Sequence, residues 1–279
     1  MKPTVREKRA AFKALHARGC FVIPNPWDIG SVRLLEGLGF KALATTSSGH
    51  AWSQGQADGT ASRDVVLEHL RTIVSATDLP VNADFESGYA ADAQGVAESV
   101  RLALETGVAG LSIEDSTGDP QRPLRDVDDA VARLRAARAA IDAAGGDAVL
   151  VGRAENFFLG RPDLDDTIAR LKAYADAGAD CLYAPGIRTR EHIAAVVQAV
   201  APKPVNLLIG AARGLTVQEA AALGVRRISV GGALARAAWG AFLRAARTIA
   251  HEGRFDGLAD AASGQELNAL LGQRPAGSS

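Results

Sequence analysis

Four acids and one arginine stand in contexts that could do chemistry: Asp58 in "GQADG", Asp84 and Glu86 in "VNADFESGY", Glu114 in "GLSIEDS", and Arg153 in "VGRAEN". Asp84 and Glu86 lie two apart in what reads as an extended segment, so both side chains leave one face. Carboxylates gathered this closely repel, and burying them unpaired is costly unless they take up protons or find a cation. An all-oxygen set with room for water suits Mg2+ best and Mn2+ next. The alternative is a ring of salt bridges in which arginines, Arg153 above all, neutralise the acids. The run Thr45-Thr46-Ser47-Ser48-Gly49 either clamps a carboxylate with hydroxyls and successive N–H groups or is an ordinary Ser/Gly loop. Arg153 adds a cationic fork for a second oxyanion.

The elements that must position these residues alternate from end to end. Short apolar runs at 20–24, 42–46, 81–84, 110–114, 148–153, 181–184, 204–208 and 226–231 read as strands. Amphipathic stretches at 31–38, 62–76, 92–106, 127–144, 163–177, 191–200, 217–223 and 234–251 read as helices. Gly107, Gly178 and Gly224 each follow the last helical turn, where a left-handed residue is wanted. Eight such units predict an α/β fold, a (β/α)8 TIM barrel, in preference to an open doubly wound sheet, which lacks its Gly-rich fingerprint after the first strand. Residues 4–18 form an extra helix before the barrel. A tail helix at 263–271 opens with Ser263 and Glu266 spaced as a capping box. One domain over residues 1–279 is expected.

In such a barrel, polar residues at the carboxyl ends of strands face the site. That rule collects Asn25-Pro26-Trp27-Asp28, the Thr/Ser run with His50, Asp84-Phe85-Glu86, Glu114-Asp115 and Arg153-Ala154-Glu155-Asn156. His16, His69, His192 and His251 fall on helices and are expected to be solvated or partly packed, which leaves His50 as the histidine nearest the rim. "SVGG" after the last strand is either a phosphate-binding helix start or a simple turn. No Gly-x-Ser-x-Gly elbow, His-Glu-x-x-His or Walker loop is present.

A formal net charge of −1 argues against nucleic acid or an anionic membrane as partner. The two cysteines, Cys20 and Cys181, sit in apolar runs and read as core thiols. No apolar run approaches membrane length and the first residues lack a signal core, so a cytoplasmic protein is expected.

The segments "NPWDIGSVRLLEGLGFKALATTSSG", "GQADG", "VNADFESGY", "GVAGLSIEDS", "VGRAEN" and "AGADCLYAPG" resemble the isocitrate lyase/phosphoenolpyruvate mutase superfamily over about residues 12–247. The resemblance implies Mg2+, a small 2-oxo carboxylic acid or its enolate as bound species, and a last helix exchanged between subunits of a homo-oligomer, usually a dimer of dimers. It places Asp84 on the metal, with Glu86, Glu114 and Asp58 holding it mostly through water. It puts Thr46, Ser47, Ser48 and Trp27 around the substrate and Arg153 on a substrate oxyanion, with Arg153, Glu114 and Asp58 at the reacting centre.

Departures narrow the implied chemistry. Glu86 stands where relatives usually have Asp. Segment 116–126, where lyases carry a gating loop with a Lys-Cys-Gly-His type motif, is short and has neither Cys nor Lys. The sixth strand ends Tyr183-Ala184-Pro185, without the usual Glu or His. An electron sink without that protonating loop favours a carbon–carbon lyase, decarboxylases included, with Tyr183 or water as the acid. A carbon–phosphorus enzyme, or a 2-oxo-acid-binding protein without lyase activity, is the other expectation.

Overall fold

The computed structural model describes residues 2–212 and 214–272. Eight parallel strands form its centre: β1 (Phe21–Ile23), β2 (Leu43–Ala44), β3 (Val81–Asp84), β4 (Gly110–Glu114), β5 (Val149–Arg153), β6 (Cys181–Tyr183), β7 (Val205–Leu208) and β8 (Arg227–Ser229). They pair in the order β1-β8-β7-β6-β5-β4-β3-β2. Between β1 and β2 the ladder is replaced by two single bonds, Ala44 N to Pro24 O at 3.0 Å and Asn25 Nδ2 to Thr45 O at 2.9 Å. This is the expected (β/α)8 TIM barrel, nearly closed.

Around it lie α2 (Ile29–Gly37), α4 (Arg63–Ser75), α5 (Ala93–Glu105), α6 (Val127–Ala143), α7 (Leu164–Asp176), α8 (Arg190–Val200), α9 (Val217–Ala222) and α10 (Ala233–Glu252), with α1 (Val5–Leu15) before the barrel. Side-chain caps start most of them, as Asp28, Ser62, Asp92, Asp163, Thr189 and Thr216 accept from the first-turn N–H groups. Gly107, Gly178 and Gly224 have φ of 88°, 101° and 88°, so each helix stops where the sequence placed a residue free to turn left-handed.

Outward strand residues such as Leu111, Leu150 and Leu182 are fully buried against the helices. Phe12 of α1, also fully buried, plugs the amino-terminal end of the barrel, with its ring over Gly110. Lys8 and Arg9 fasten α1 there by donating to Thr77 O (2.6 Å) and Val108 O (3.0 Å). With that end closed, the opposite end is left for ligands.

One element departs from the sequence reading. The hydroxyl-rich run is not a loop: it starts α3 (Ser47–Ser53), with Thr46 as N-cap accepting from Gly49 N. Gly49 is needed there, since a Cβ would sit 2.6 Å from Thr46 Cγ2. The last barrel helix, α10, lies where it was expected but buries only Ala235 and Ala245, while Leu234, Trp239, Phe242 and Leu243 remain exposed. The tail helix α11 (Gly264–Gly272) packs on α2, and Ser263 Oγ accepts from Glu266 N at 3.1 Å as its cap. No helix among the described residues is long and apolar enough to cross a membrane.

Candidate active site at the carboxyl end of the barrel

A cavity of about 310 Å3 opens at the carboxyl ends of the strands, lined among others by Thr46, Ser47, Ser48, Asp58, Asp84, Arg153 and Tyr183. Asp84 ends β3, and its carboxylate accepts from both the N–H and the hydroxyl of Ser47 at 3.0 Å. Its own N–H donates to Thr45 Oγ1 at 2.9 Å. The start of α3 is thereby tied to the tip of β3. Ser48 Oγ lies 3.1 Å from Thr46 Oγ1 and faces the same cavity.

Arg153, at the end of β5, reaches three carboxylates: Asp84 at 3.2 Å, Glu114 at 3.1 Å, and Glu155 in a very short pair. Burial works against its charge, but Glu114 and Glu155 outweigh that and hold its pKa well above the usual value. Burial raises Glu114 strongly, with Glu155, Asp84 and Glu86 adding repulsion against Arg153. The arginine-paired arrangement is therefore present for three acids. Asp58 and Glu86 have no such pair among the described residues, and burial followed by neighbouring carboxylates raises both.

Glu86 does not follow the extended spacing read from sequence. The strand ends at Asp84, Phe85 turns into the core, and Glu86 adopts a φ of 45°. Its carboxylate accepts from Tyr89 Oη at 2.9 Å. Neither Glu86 nor Glu114 lines the cavity itself. Asp84 and Asp58 do.

Among the described residues no three His, Cys, Asp or Glu side chains converge tightly enough to cage an ion alone. Mg2+ needs no such cage, since it keeps several waters and uses one or two carboxylates together with ligand oxygens. The surplus of acids over Arg153 is what a cation would relieve, so the donor set fits Mg2+ with Asp84 and Asp58 nearest.

Trp27 and His50 lie apart from this cavity. They line a neighbouring cleft with Asp28, Glu68 and His69. His50 stacks on His69 with ring centroids 3.7 Å apart and planes 19° apart, and both are buried. His69, expected to be solvated or partly packed, is thus buried more deeply than the sequence implied. Burial, then His50, pulls His69 down to about 3. A histidine held neutral in the fold but free to charge when unfolded contributes stability above the unfolded pKa of about 6.5, and loses it as pH falls towards the folded value. Relative to His69→Gln, the wild type should therefore lose about 2 kcal/mol between pH 7 and pH 5. Urea titrations at both pH values check this; parallel pH profiles for the two proteins would contradict it.

Asp115, Glu155 and Asn25, gathered at the strand ends by the sequence without a role, form a second layer. Asp115, buried behind Glu114, accepts from Tyr174 Oη (2.6 Å), Arg170 Nη1 (3.1 Å) and Glu155 N (2.8 Å). It fixes the backbone that aims Glu155 at Arg153. Asn25 Oδ1 accepts from Val230 N (2.9 Å) and Gly231 N (2.8 Å), which makes "SVGG" a stapled turn. Segment 116–126 is a small closed loop, with a Ser116–Leu124 bridge, Thr117 Oγ1 donating to Arg122 O at 2.6 Å, and Arg125 N donating to Asp115 O at 2.8 Å.

The site is thus the mouth of a (β/α)8 barrel, rich in acids, with one arginine bridging three of them and a hydroxyl-bearing helix start beside it. A family model described as phosphoenolpyruvate phosphomutase matches residues 12–250. The chain belongs to that family, within the PEP mutase/isocitrate lyase superfamily. It is 50% identical to a solved Burkholderia cenocepacia J2315 protein provisionally described as a lyase/mutase, with a TM-score of 0.93 over 96% of this chain and 98% of that one. It is 30% identical to the oxaloacetate decarboxylase of Paraburkholderia xenovorans (strain LB400), over 81% of this chain and 75% of that one. A structure of oxaloacetate acetylhydrolase in complex with its product oxalate matches with 28% identity and a TM-score of 0.83, over 96% and 94% of the two chains.

Proposed function

We propose that the chain is a Mg2+-dependent carbon–carbon lyase that acts on a small 2-oxo or 2-hydroxy di- or tricarboxylic acid, with decarboxylation as the favoured reaction. The observation that carries this reading is Asp84: it lies in the cavity beside Asp58, within the same side-chain cluster as Ser47 and Arg153. A bound Mg2+ would polarise the 2-oxo group and so provide a sink for the electron pair left by the breaking bond.

The chain's own residues supply the rest. Hydroxyls of Thr46 and Ser48, beside Ser47, receive the substrate carboxylate. Arg153, held by Glu114 and Glu155, keeps its guanidinium fixed and charged for an oxyanion. Tyr183 lines the cavity and carries its proton at neutral pH, so its hydroxyl is the side-chain donor available there, although burial pushes it up to about 12 and so makes it a weak acid. The closed loop at 116–126 offers no Cys or Lys as donor, so decarboxylation is favoured: carbon dioxide leaves with no acid acting on it, and the pyruvate enolate left behind takes its proton from Tyr183 or water. Relatives named for oxaloacetate chemistry support the same choice.

Incubation with Mg2+ and oxaloacetate, 2-methylisocitrate, dimethylmalate or phosphonopyruvate, read by proton and phosphorus NMR, tests this. Pyruvate from a carbon substrate is the expected result. Phosphorus release or migration would instead indicate a carbon–phosphorus enzyme, and tight binding without turnover a binding protein.

The exposed face of α10 supports a homo-oligomer in which this helix is exchanged with a second copy, as in a dimer of dimers. Trp239→Glu with Phe242→Glu should shift the protein to monomer in sedimentation, and an unchanged assembly would count against the exchange.

A further inference from the structure

Arg227 is the first residue of β8, and its side chain points into the barrel, only 3% exposed. Nε donates to Asn206 Oδ1 at 2.8 Å, and Nη1 lies 3.4 Å from Asn82 Oδ1. The other buried arginines among the described residues each meet a carboxylate: Arg9 with Asp147 at 2.8 Å, Arg133 with Asp129 at 3.1 Å, Arg170 with Asp115 at 3.1 Å. Arg227 meets only neutral amides there, and borders the floor of the 310 Å3 cavity together with Asn82, Ser112 and Ser229. A buried guanidinium without a counter-charge is expensive unless an anion is supplied from elsewhere.

We propose that Arg227 receives a second anionic group of the substrate, so that the cavity selects a 2-oxo diacid over a 2-oxo monoacid. The inference rests on the reading above that the cavity binds a 2-oxo acid. Asn82, the amide facing Arg227, is two residues before Asp84 on β3, a rise of about 7 Å along the strand. An extended four- or five-carbon diacid can bridge that separation, with its 2-oxo carboxylate beside Asp84 and its other end on Arg227. Asn82, Asn206 and Ser229 surround the second anion with further polar groups, and Asn206 is itself oriented by donating to Ser229 Oγ at 3.0 Å.

The test compares pyruvate with oxaloacetate, 2-oxoglutarate and phosphonopyruvate, each with Mg2+, on the full chain and on Arg227→Gln and Arg227→Lys. The wild type should bind at least one diacid about tenfold or more tighter than pyruvate. Arg227→Gln should weaken that diacid by about tenfold to a hundredfold while pyruvate changes less than about twofold. Arg227→Lys, which keeps the charge but loses the fork, should fall between, and it serves if the Gln variant does not fold. Preference for the phosphonate over the carboxylates would identify which anion the floor takes. Wild-type binding of pyruvate as tight as every diacid overturns the role of Arg227 alone, as does equal weakening of pyruvate and diacid in the variants. Failure of the wild type to bind any of these acids overturns the functional reading as well.

Discussion

Asp84→Ala is expected to abolish Mg2+ binding and lower turnover by at least about a thousandfold, roughly 4 kcal/mol of lost charge stabilisation, while the protein stays folded. The carboxylate occupies the junction of β3, the start of α3 and Arg153. Its loss leaves Arg153 still paired to Glu114 and Glu155, so no buried cation is stranded. It also removes one repelling neighbour from Asp58, Glu86 and Glu114, so the thermal midpoint should hardly move. Calorimetric titration with Mg2+ beside a circular-dichroism melt separates the two effects. Unchanged Mg2+ affinity would mean the ion is held elsewhere, and a collapsed melt would mean Asp84 is structural.

The second large effect falls on stability. Asp115→Ala should cost about 3 kcal/mol and lower the melting temperature by roughly 6–12 °C. Asp115 is almost fully buried and serves Arg170, Tyr174 and the N–H of Glu155 together. Removing it strands the Tyr174 hydroxyl and the Glu155 N–H, and leaves Arg170 with the Arg125 carbonyl at 2.8 Å and, as its carboxylate, the more exposed Asp166 at 2.7 Å. Asp166→Ala is the control: its side chain is 38% exposed, so its loss should cost less, about 1 kcal/mol. Equal melting shifts in the two variants would refute the role given to Asp115. Because Glu155 braces Arg153, Asp115→Ala should also weaken substrate binding below its melting point.

The barrel was legible because its strands are short apolar runs whose ends carry polar residues, and because Gly107, Gly178 and Gly224 mark helix stops that the backbone dihedrals match. Asp84, Arg153 and the Thr/Ser run were legible by the same rule, since strand ends face one rim, whereas Asp58 lies in the segment between α3 and α4 and was picked out by its motif. The seven-residue α3 was not, because Ser-Ser-Gly-His-Ala-Trp-Ser has no apolar period and its only start signal is Thr46. Glu86 was misread because the extended spacing was carried past the end of β3 into a residue with positive φ. Trp27 and His50 lie close to the rim in sequence, yet His50 turns away to stack on His69.

Other signals were present and passed over. Arg153 and Glu155 are two apart at the end of β5, the same-face spacing that had drawn attention to Asp84 and Glu86. Arg227 is a charge at an inward position of a strand, and an ionised group there asks for a partner. What no single sequence shows is which acid meets which base across the barrel, because Asp115 and Arg170 are 55 residues apart.

The most direct test is a crystal structure grown with Mg2+ and oxalate. It should show one ion at the barrel mouth, in contact with a carboxylate oxygen of Asp84 and with the ligand's oxygens. If the oxalate were bound by Arg153 and hydroxyls alone, with Asp84 neutralised only by Arg153 and no ion between them, the metal-dependent account would be contradicted.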